Sequence, residues 1–409
     1  MGSRRISHSA SRGLVICAAV ALLASAAWAA STTNLIYSFA GSADGEYTDT
    51  DLAMDSAGNI YGTSVQGGTF GGGTIFQVTP AGVHTVLYNF TGGADGGEPY
   101  KGVTIDAQGN LYGTAVTGGG GSCEGGCGVV FMLANSGGTW TQSVIHTFTG
   151  ADGSGPGSPV AIDKHGTVYG TTPTGGANGV GVVFQLKPDG SGGWRMRVIH
   201  TFTGGDDGAG GAAGRVLVDG GGNLYGACTV GGVNGFGTVF KMSPHQGQWQ
   251  FATLYAFKDS PDAALPYGGL VFDKLGNLYG TTYYAGANDV GTVYKLTHAN
   301  GTWTESVLYS FKGGMDGASP ISTLVSDAAG NLYGTTSEGG AASCSCGVIF
   351  KLSHGANGKW TESVAYRFPG KPNPGFAYNG MISDSAGSFY GATVHGGSGN
   401  DGAIYKFTP

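Results

Sequence analysis

Charge is scarce in this sequence. Only 11% of its 409 residues are Asp, Glu, Lys or Arg, with 19 basic residues against 26 acidic ones and a formal net charge of −7. Average proteins carry about 25%. Nothing in such a chain would neutralise a run of phosphates, which excludes nucleic acid as a partner. There are six Glu in the whole chain, dispersed, so no acid/base pair stands out. HExxH and the Gly-x-Ser-x-Gly nucleophile elbow are both absent. Long apolar runs are missing beyond Leu14–Ala27. That stretch follows Arg4, Arg5 and Arg12 and ends at Ala27-Trp28-Ala29, the pattern of a secretory signal cleaved near residue 29. It is short for a membrane span. The mature chain is therefore expected to be secreted or periplasmic, with no membrane contact after cleavage, and monomeric.

Glycine is abundant instead: 82 residues, about a fifth of the chain. It follows no strict triplet, which excludes collagen. Short apolar runs separated by Gly-rich turns point to an all-β protein. A Tyr-Gly pair recurs at Tyr61, Tyr112, Tyr169, Tyr225, Tyr279, Tyr333 and Tyr390, with spacings of 51, 57, 56, 54, 54 and 57. Such a period marks a solenoid, a propeller or an array. Each copy reads as four strands of five to nine residues, a to d. In the fifth they are GLVFD (269–273), NLYGTT (277–282), GTVYKL (291–296) and WTESVLYSF (303–311). Seven four-stranded units predict a seven-bladed β-propeller spanning residues 30–409. The sequence after the signal opens on a lone d strand, TNLIYSF (33–39), and closes on a lone c strand, GAIYKF (402–407). The first would complete the last blade, closing the ring and protecting the sheet edges.

The NLYGTT string, the Gly pair and the GTVFKL-like and VLYSF-like runs resemble the Gloeobacter/Verrucomicrobia-type tandem repeat of exported bacterial proteins. The resemblance covers all seven units, from about Asn34 to Pro409. It brings no activity and no binding residues with it. Members often end in a sorting or anchoring segment, whereas this sequence stops at Pro409 directly after the last strand. Kelch repeats share the period and the double Gly but place their Tyr and Trp differently.

Most recurrent residues read as folding devices. The Asp that ends strand a (Asp55, Asp106, Asp163, Asp219, Asp273, Asp327, Asp384) suits a tight a–b turn. The strand-b Gly marks close approach of an aromatic, expected from the adjacent blade, and the Tyr before it should be core. A second recurrent Asp, in the d–a loops (Asp44, Asp95, Asp152, Asp207, Asp262, Asp316), allows Ca²⁺ but fits an Asp-Gly turn better; no other cofactor is implied. Trp140, Trp194, Trp249, Trp303 and Trp360 open strand d on the outer rim and are expected to pack over the c–d hairpin. His146 and His200 replace Tyr in strand d.

Export favours disulfides. Cys123 and Cys127 can pair; a Cys344–Cys346 ring is tight. A shared zinc site would have to reach across the ring, and no metal site is expected. Cys228 reads as a buried free thiol.

The long b–c and d–a loops share one face, where ligands would sit over the central channel. Its least repetitive residues are the binding candidates: Glu98, Tyr100, Tyr267, Tyr283, Tyr284, Asp289, Glu338, Tyr378 and His395, with Phe376 beside them. Exposed Tyr next to carboxylates suits sugar rings, by stacking and by hydrogen bonds to hydroxyls. Packing between blades is the plainer role for the same residues. Three functions remain open: a module binding a glycan or a surface protein; a carbohydrate-active enzyme, such as a polysaccharide lyase or glycosidase, working at the channel mouth; and a structural extracellular protein.

Overall fold

A computed structural model describes residues 2, 31–212, 214–340, 344–355 and 358–409. The chain divides into two units, Met1–Ala30 and Ser31–Pro409. The signal segment, including Leu14–Ala27, lies outside the described residues. No described helix is long and apolar enough to cross a membrane.

The second unit is a seven-bladed propeller whose blades are four antiparallel strands. In blades 4 and 6 a segment of the d–a loop, Ala209–Ala212 and Ala318–Pro320, adds a fifth strand beside strand b, and in blade 7 Pro374–Gly375 pairs with His395–Gly396. Blade 5 is representative: strand a Val271–Phe272, b Leu278–Thr282, c Thr292–Ala299 and d Thr302–Ser310. The ring closes as the sequence predicts. Thr32–Ser38 pairs with Ala403–Thr408, with Thr32 opposite Thr408 and Ser38 opposite Ala403. Strand a is shorter than expected, only two or three residues in every blade. The residues before it leave the sheet to line the channel, so only the end of the apolar run stays paired.

The core is seven layers, one at each blade junction, rather than one central mass. The Phe that ends strand d is fully buried in every copy (Phe39, Phe90, Phe148, Phe202, Phe257, Phe311, Phe368). Each meets the strand-c aromatic of the following blade at 5.0–5.7 Å between ring centroids, from Phe39 on Phe76 through Phe202 on Phe240 to Phe368 on Tyr405. The partner rings in turn cover the strand-b glycines of their own blade. Gly226 lies opposite Phe240, and Gly62 opposite Phe76. This corrects the expectation that the neighbouring blade fills the glycine gap. The pleat places directly opposed residues on one face of the sheet.

The a–b turn works as the sequence suggests. Asp273 Oδ1 accepts from the N–H groups of Leu275 and Asn277, at 2.8 and 2.9 Å. Its Oδ2 accepts from Asn277 Nδ2 at 2.6 Å and Tyr279 Oη at 3.0 Å. The d–a Asp is equally a turn residue. Asp262 accepts from Tyr255 Oη at 2.8 Å and from the Lys258 N–H at 3.0 Å. His146 and His200 hold Asp152 and Asp207 in the same way, each at 3.0 Å. The tryptophans meet the expectation in part. Trp303 and Trp360 cover their own hairpins, on His298 and His354 at 4.9 Å, while Trp140, Trp194, Trp249 and Trp360 also sit edge-on to the strand-b Tyr of the preceding blade, at 5.9–6.2 Å, and so help seal blade junctions. Cys123–Cys127 and Cys344–Cys346 are both joined as disulfides, and Cys228 is free and buried.

Candidate functional site

Every d–a loop has left-handed backbone at one equivalent position: Tyr47, Glu98, Gly155, Gly211, Leu265, Ser319 and Phe376, with φ between 53° and 63°. Only two are Gly, so the other five hold a conformation that costs an L-residue energy. Hydrogen bonds enforce it. The Leu265 N–H donates to the Phe236 carbonyl of the preceding blade, at 3.0 Å. The Leu265 carbonyl accepts from Tyr283 N–H in its own blade, at 2.9 Å. Glu98 and Phe376 repeat both bonds. The kink sends the next four residues toward the ring axis before strand a begins.

By position in the repeat, Asp49, Tyr100, Tyr267 and Tyr378 are equivalent, as are Lys101 and Asn379, and as are Asp51, Arg215 and Thr323. At the mouth is a cavity of about 440 Å³, lined by Asp49, Asp51, Lys101, Tyr267, Tyr378 and Asn379 among others. Asp49 Oδ1 accepts from Lys101 Nζ at 2.6 Å and from Asn379 Nδ2 at 2.7 Å, and Lys101 also donates to Asn379 Oδ1 at 3.1 Å. This triangle ties blades 7, 1 and 2 together. Adjoining the cavity, through Asp51, Thr323 and Gly380, is a chamber of about 150 Å³ whose wall also includes Arg215. Burial pushes the Asp51 carboxyl above its ordinary range, with Arg215 and then Lys101 opposing. Burial likewise pulls the Arg215 guanidinium down, opposed by Asp51.

Several candidates from the sequence converge here. Tyr267 and Tyr378 line the mouth, and Tyr283 lies 5.7 Å from Tyr267, edge to face. The Tyr378 phenol is held above its usual range by burial first, then by the charges of Asp49 and Glu338. Tyr100 is raised by burial, then by Asp49 and Glu98. Glu98 and Glu338 are thus within electrostatic reach of the rim. Three candidates fall away from the cavity. Tyr284 pairs with Ala264 at the outer start of the d–a loop. Asp289 is bonded to Ser260 Oγ. His395 pairs with Gly375 and packs against Phe376 and Tyr47, at 5.6 and 5.5 Å. Tyr284, Glu338 and His395 hold one equivalent position, the partner of the d–a loop, so they stand around the ring instead of meeting at one point.

Sequence reading missed Asp49, Asp51, Lys101, Arg215 and Asn379. A usable signal existed. Just before strand a the seven copies carry Asp51, Gly102, Pro159, Arg215, Gly269, Thr323 and Gly380. Charge at two of seven equivalent positions is what folding does not ask for.

An all-β ring with a polar, open-mouthed channel defines the protein as a β-propeller. Its repeat matches the Gloeobacter/Verrucomicrobia repeat over residues 120–345 and 217–409, and the chain belongs to that family. No curated protein matches the sequence. Among solved structures, the extracellular domain of a provisionally assigned one component system from B. thetaiotaomicron superposes with a TM-score of 0.54 at 9% identity. That match covers 90% of this chain and 39% of the other, so the chain spans about two fifths of its length. A Bacteroides uniformis protein provisionally named a 6-phosphogluconolactonase gives 0.54 at 14% identity, covering 81% of this chain and 88% of that one. An ancestral GH74 enzyme gives 0.52 at 10% identity, covering 89% and 48%. At these identities the likeness is one of fold alone.

Proposed function

We propose that this propeller is an exported binding module whose channel mouth takes a saccharide. The observation that carries the reading is the pairing of an aromatic rim with a polar floor. Tyr267 and Tyr378 face a cavity of about 440 Å³ that also presents Asp49, Lys101 and Asn379. Flat rings suit sugar faces, and the floor offers donors and acceptors for hydroxyls. Asp49 is held by both Lys101 and Asn379. A carboxylate tied in this way suits ligand positioning better than proton transfer, which favours binding over hydrolysis.

Calorimetric titration of the purified protein with neutral and acidic oligosaccharides tests the reading. One glycan class should bind, and Tyr267→Ala and Tyr378→Ala should each weaken it about tenfold, the loss of ~1.4 kcal/mol of contact. Binding that survives both substitutions, or no binding across the panel, would move the function to a protein partner or a structural role.

A further inference from the structure

The position just before strand a carries two charges that do not meet. Asp51 comes from blade 1 and Arg215 from blade 4, at equivalent positions. Both line the chamber of about 150 Å³ adjoining the mouth. No carboxylate among the described residues lies within 4.0 Å of Arg215. Its Nε is buried and has no partner. Asp51 is occupied otherwise, accepting from the Gly380 N–H at 3.3 Å. A guanidinium carries five donors and stays protonated. Arg215 as a whole is half-buried, but leaving its buried Nε without an acceptor is costly, and such a group is retained where something else completes it.

We propose that Arg215 is an oxyanion-binding residue, and that the saccharide at the mouth is an acidic one whose carboxylate reaches it. The identity of the ligand rests on the saccharide reading above; the oxyanion site itself does not. The space fits. The chamber equals roughly five waters at ~30 Å³ each, room for a carboxyl group and its adjoining carbons but not a whole chain. The path fits too, because the mouth and the chamber share Asp51, Thr323 and Gly380 as lining. The other cation of the channel, Lys101, is already neutralised by Asp49 at 2.6 Å, which leaves Arg215 as the group that lacks a partner. A planar guanidinium matches a carboxylate in a two-pronged geometry that a hydroxyl cannot offer. Among the described residues no cluster of three or more His, Cys, Asp or Glu could hold a cation there instead. Glu98 and Glu338 near the rim, with a net charge of −7, disfavour a densely charged polyanion. The preference is for a sugar bearing a single carboxylate.

The test compares glucuronate, glucose and sulfate at equal ionic strength, read as the melting temperature of the purified protein. A ligand that binds the native state raises it. Glucuronate should raise it at concentrations about tenfold lower than glucose, and Arg215→Gln should abolish that difference while leaving the glucose response. A sulfate response lost in the same variant supports the site as well and shows that it reads the oxyanion without the ring. Equal responses to glucuronate and glucose overturn the proposal, as does a preference that survives Arg215→Gln. Silence of both glucuronate and sulfate also overturns it, while the reading of the mouth stands or falls on the oligosaccharide titration. Should Arg215→Gln not fold, Arg215→Lys keeps the charge and loses the fork, and the comparison in the unmodified protein decides alone.

Discussion

Gly226 lies so close to Phe240 that a Cβ built on the glycine would sit 2.5 Å from the ring's Cζ. The same Phe240 ring receives Phe202 of the preceding blade at 5.7 Å. Gly226→Ala should therefore push Phe240 into Phe202 and disturb the junction between blades 3 and 4. Overpacking of this kind costs about 1–3 kcal/mol. Denaturant unfolding should show the loss. An unchanged midpoint would mean that the ring has room to yield.

Two blades carry Tyr where the other five carry Phe. Tyr294 and Tyr405 are fully buried, and their hydroxyls have no partner. Burial raises both phenols far above their usual range. An unpaired buried hydroxyl costs about 1–3 kcal/mol, so Tyr294→Phe should leave stability unchanged or raise it by up to about that amount. A clear fall in the melting temperature would reveal an acceptor for Tyr294 Oη.

Two carboxyls on strand d, Glu305 and Glu362, hold their protons above the usual carboxylate range. Burial, then the charge of Asp262, pushes Glu305 up to about 8; burial, then Asp316, pushes Glu362 up to about 7. Both start from 4.5 when unfolded. The folded state thus binds these protons more tightly than the unfolded chain. Their contribution is complete below about pH 4.5 and is lost as pH rises through about 7 to 8. The melting temperature should fall across that window, and the fall should flatten in Glu305→Gln with Glu362→Gln. A slope unaffected by the double substitution would assign it to other groups.

The Asp49–Lys101–Asn379 triangle should behave as one unit. Lys101→Met leaves Asp49 partly buried beside a single amide donor, and should cost about 1–2 kcal/mol. Asn379→Ala should cost a similar amount. The double variant should cost less than the sum, since both remove partners of one carboxylate. Strict additivity in a double-mutant cycle would show that the two bonds act independently.

The architecture was legible in the sequence because it is written seven times. One Tyr-Gly pair could mean anything, whereas a string repeated from Tyr61 to Tyr390 can satisfy its strands only by stacking copies. Closure was legible as well, since Thr33–Phe39 reads as a d strand and Gly402–Phe407 as a c strand, complementary parts of one blade. The site was only partly legible. Tyr267 and Tyr378 stood out because their copies differ in a large aromatic. Tyr284 and His395 stood out for the same reason, yet they occupy the outer pairing position.

The local chemistry belongs to the sequence: Asp273 closing its turn, Gly226 leaving space, Phe202 ending its strand. Each acts within a few residues or across one ladder, where spacing alone dictates contact. The ring of seven was decided by the sequence too, by repetition. What only the tertiary structure decided is which residues share the channel. Asp51 and Arg215 are 164 positions apart. They face one chamber because circular closure brings equivalent positions of blades 1 and 4 onto a common axis. The left-handed residue at each d–a loop sets how far its neighbours reach inward, and five of the seven, such as Leu265 and Phe376, adopt that turn without a glycine to announce it.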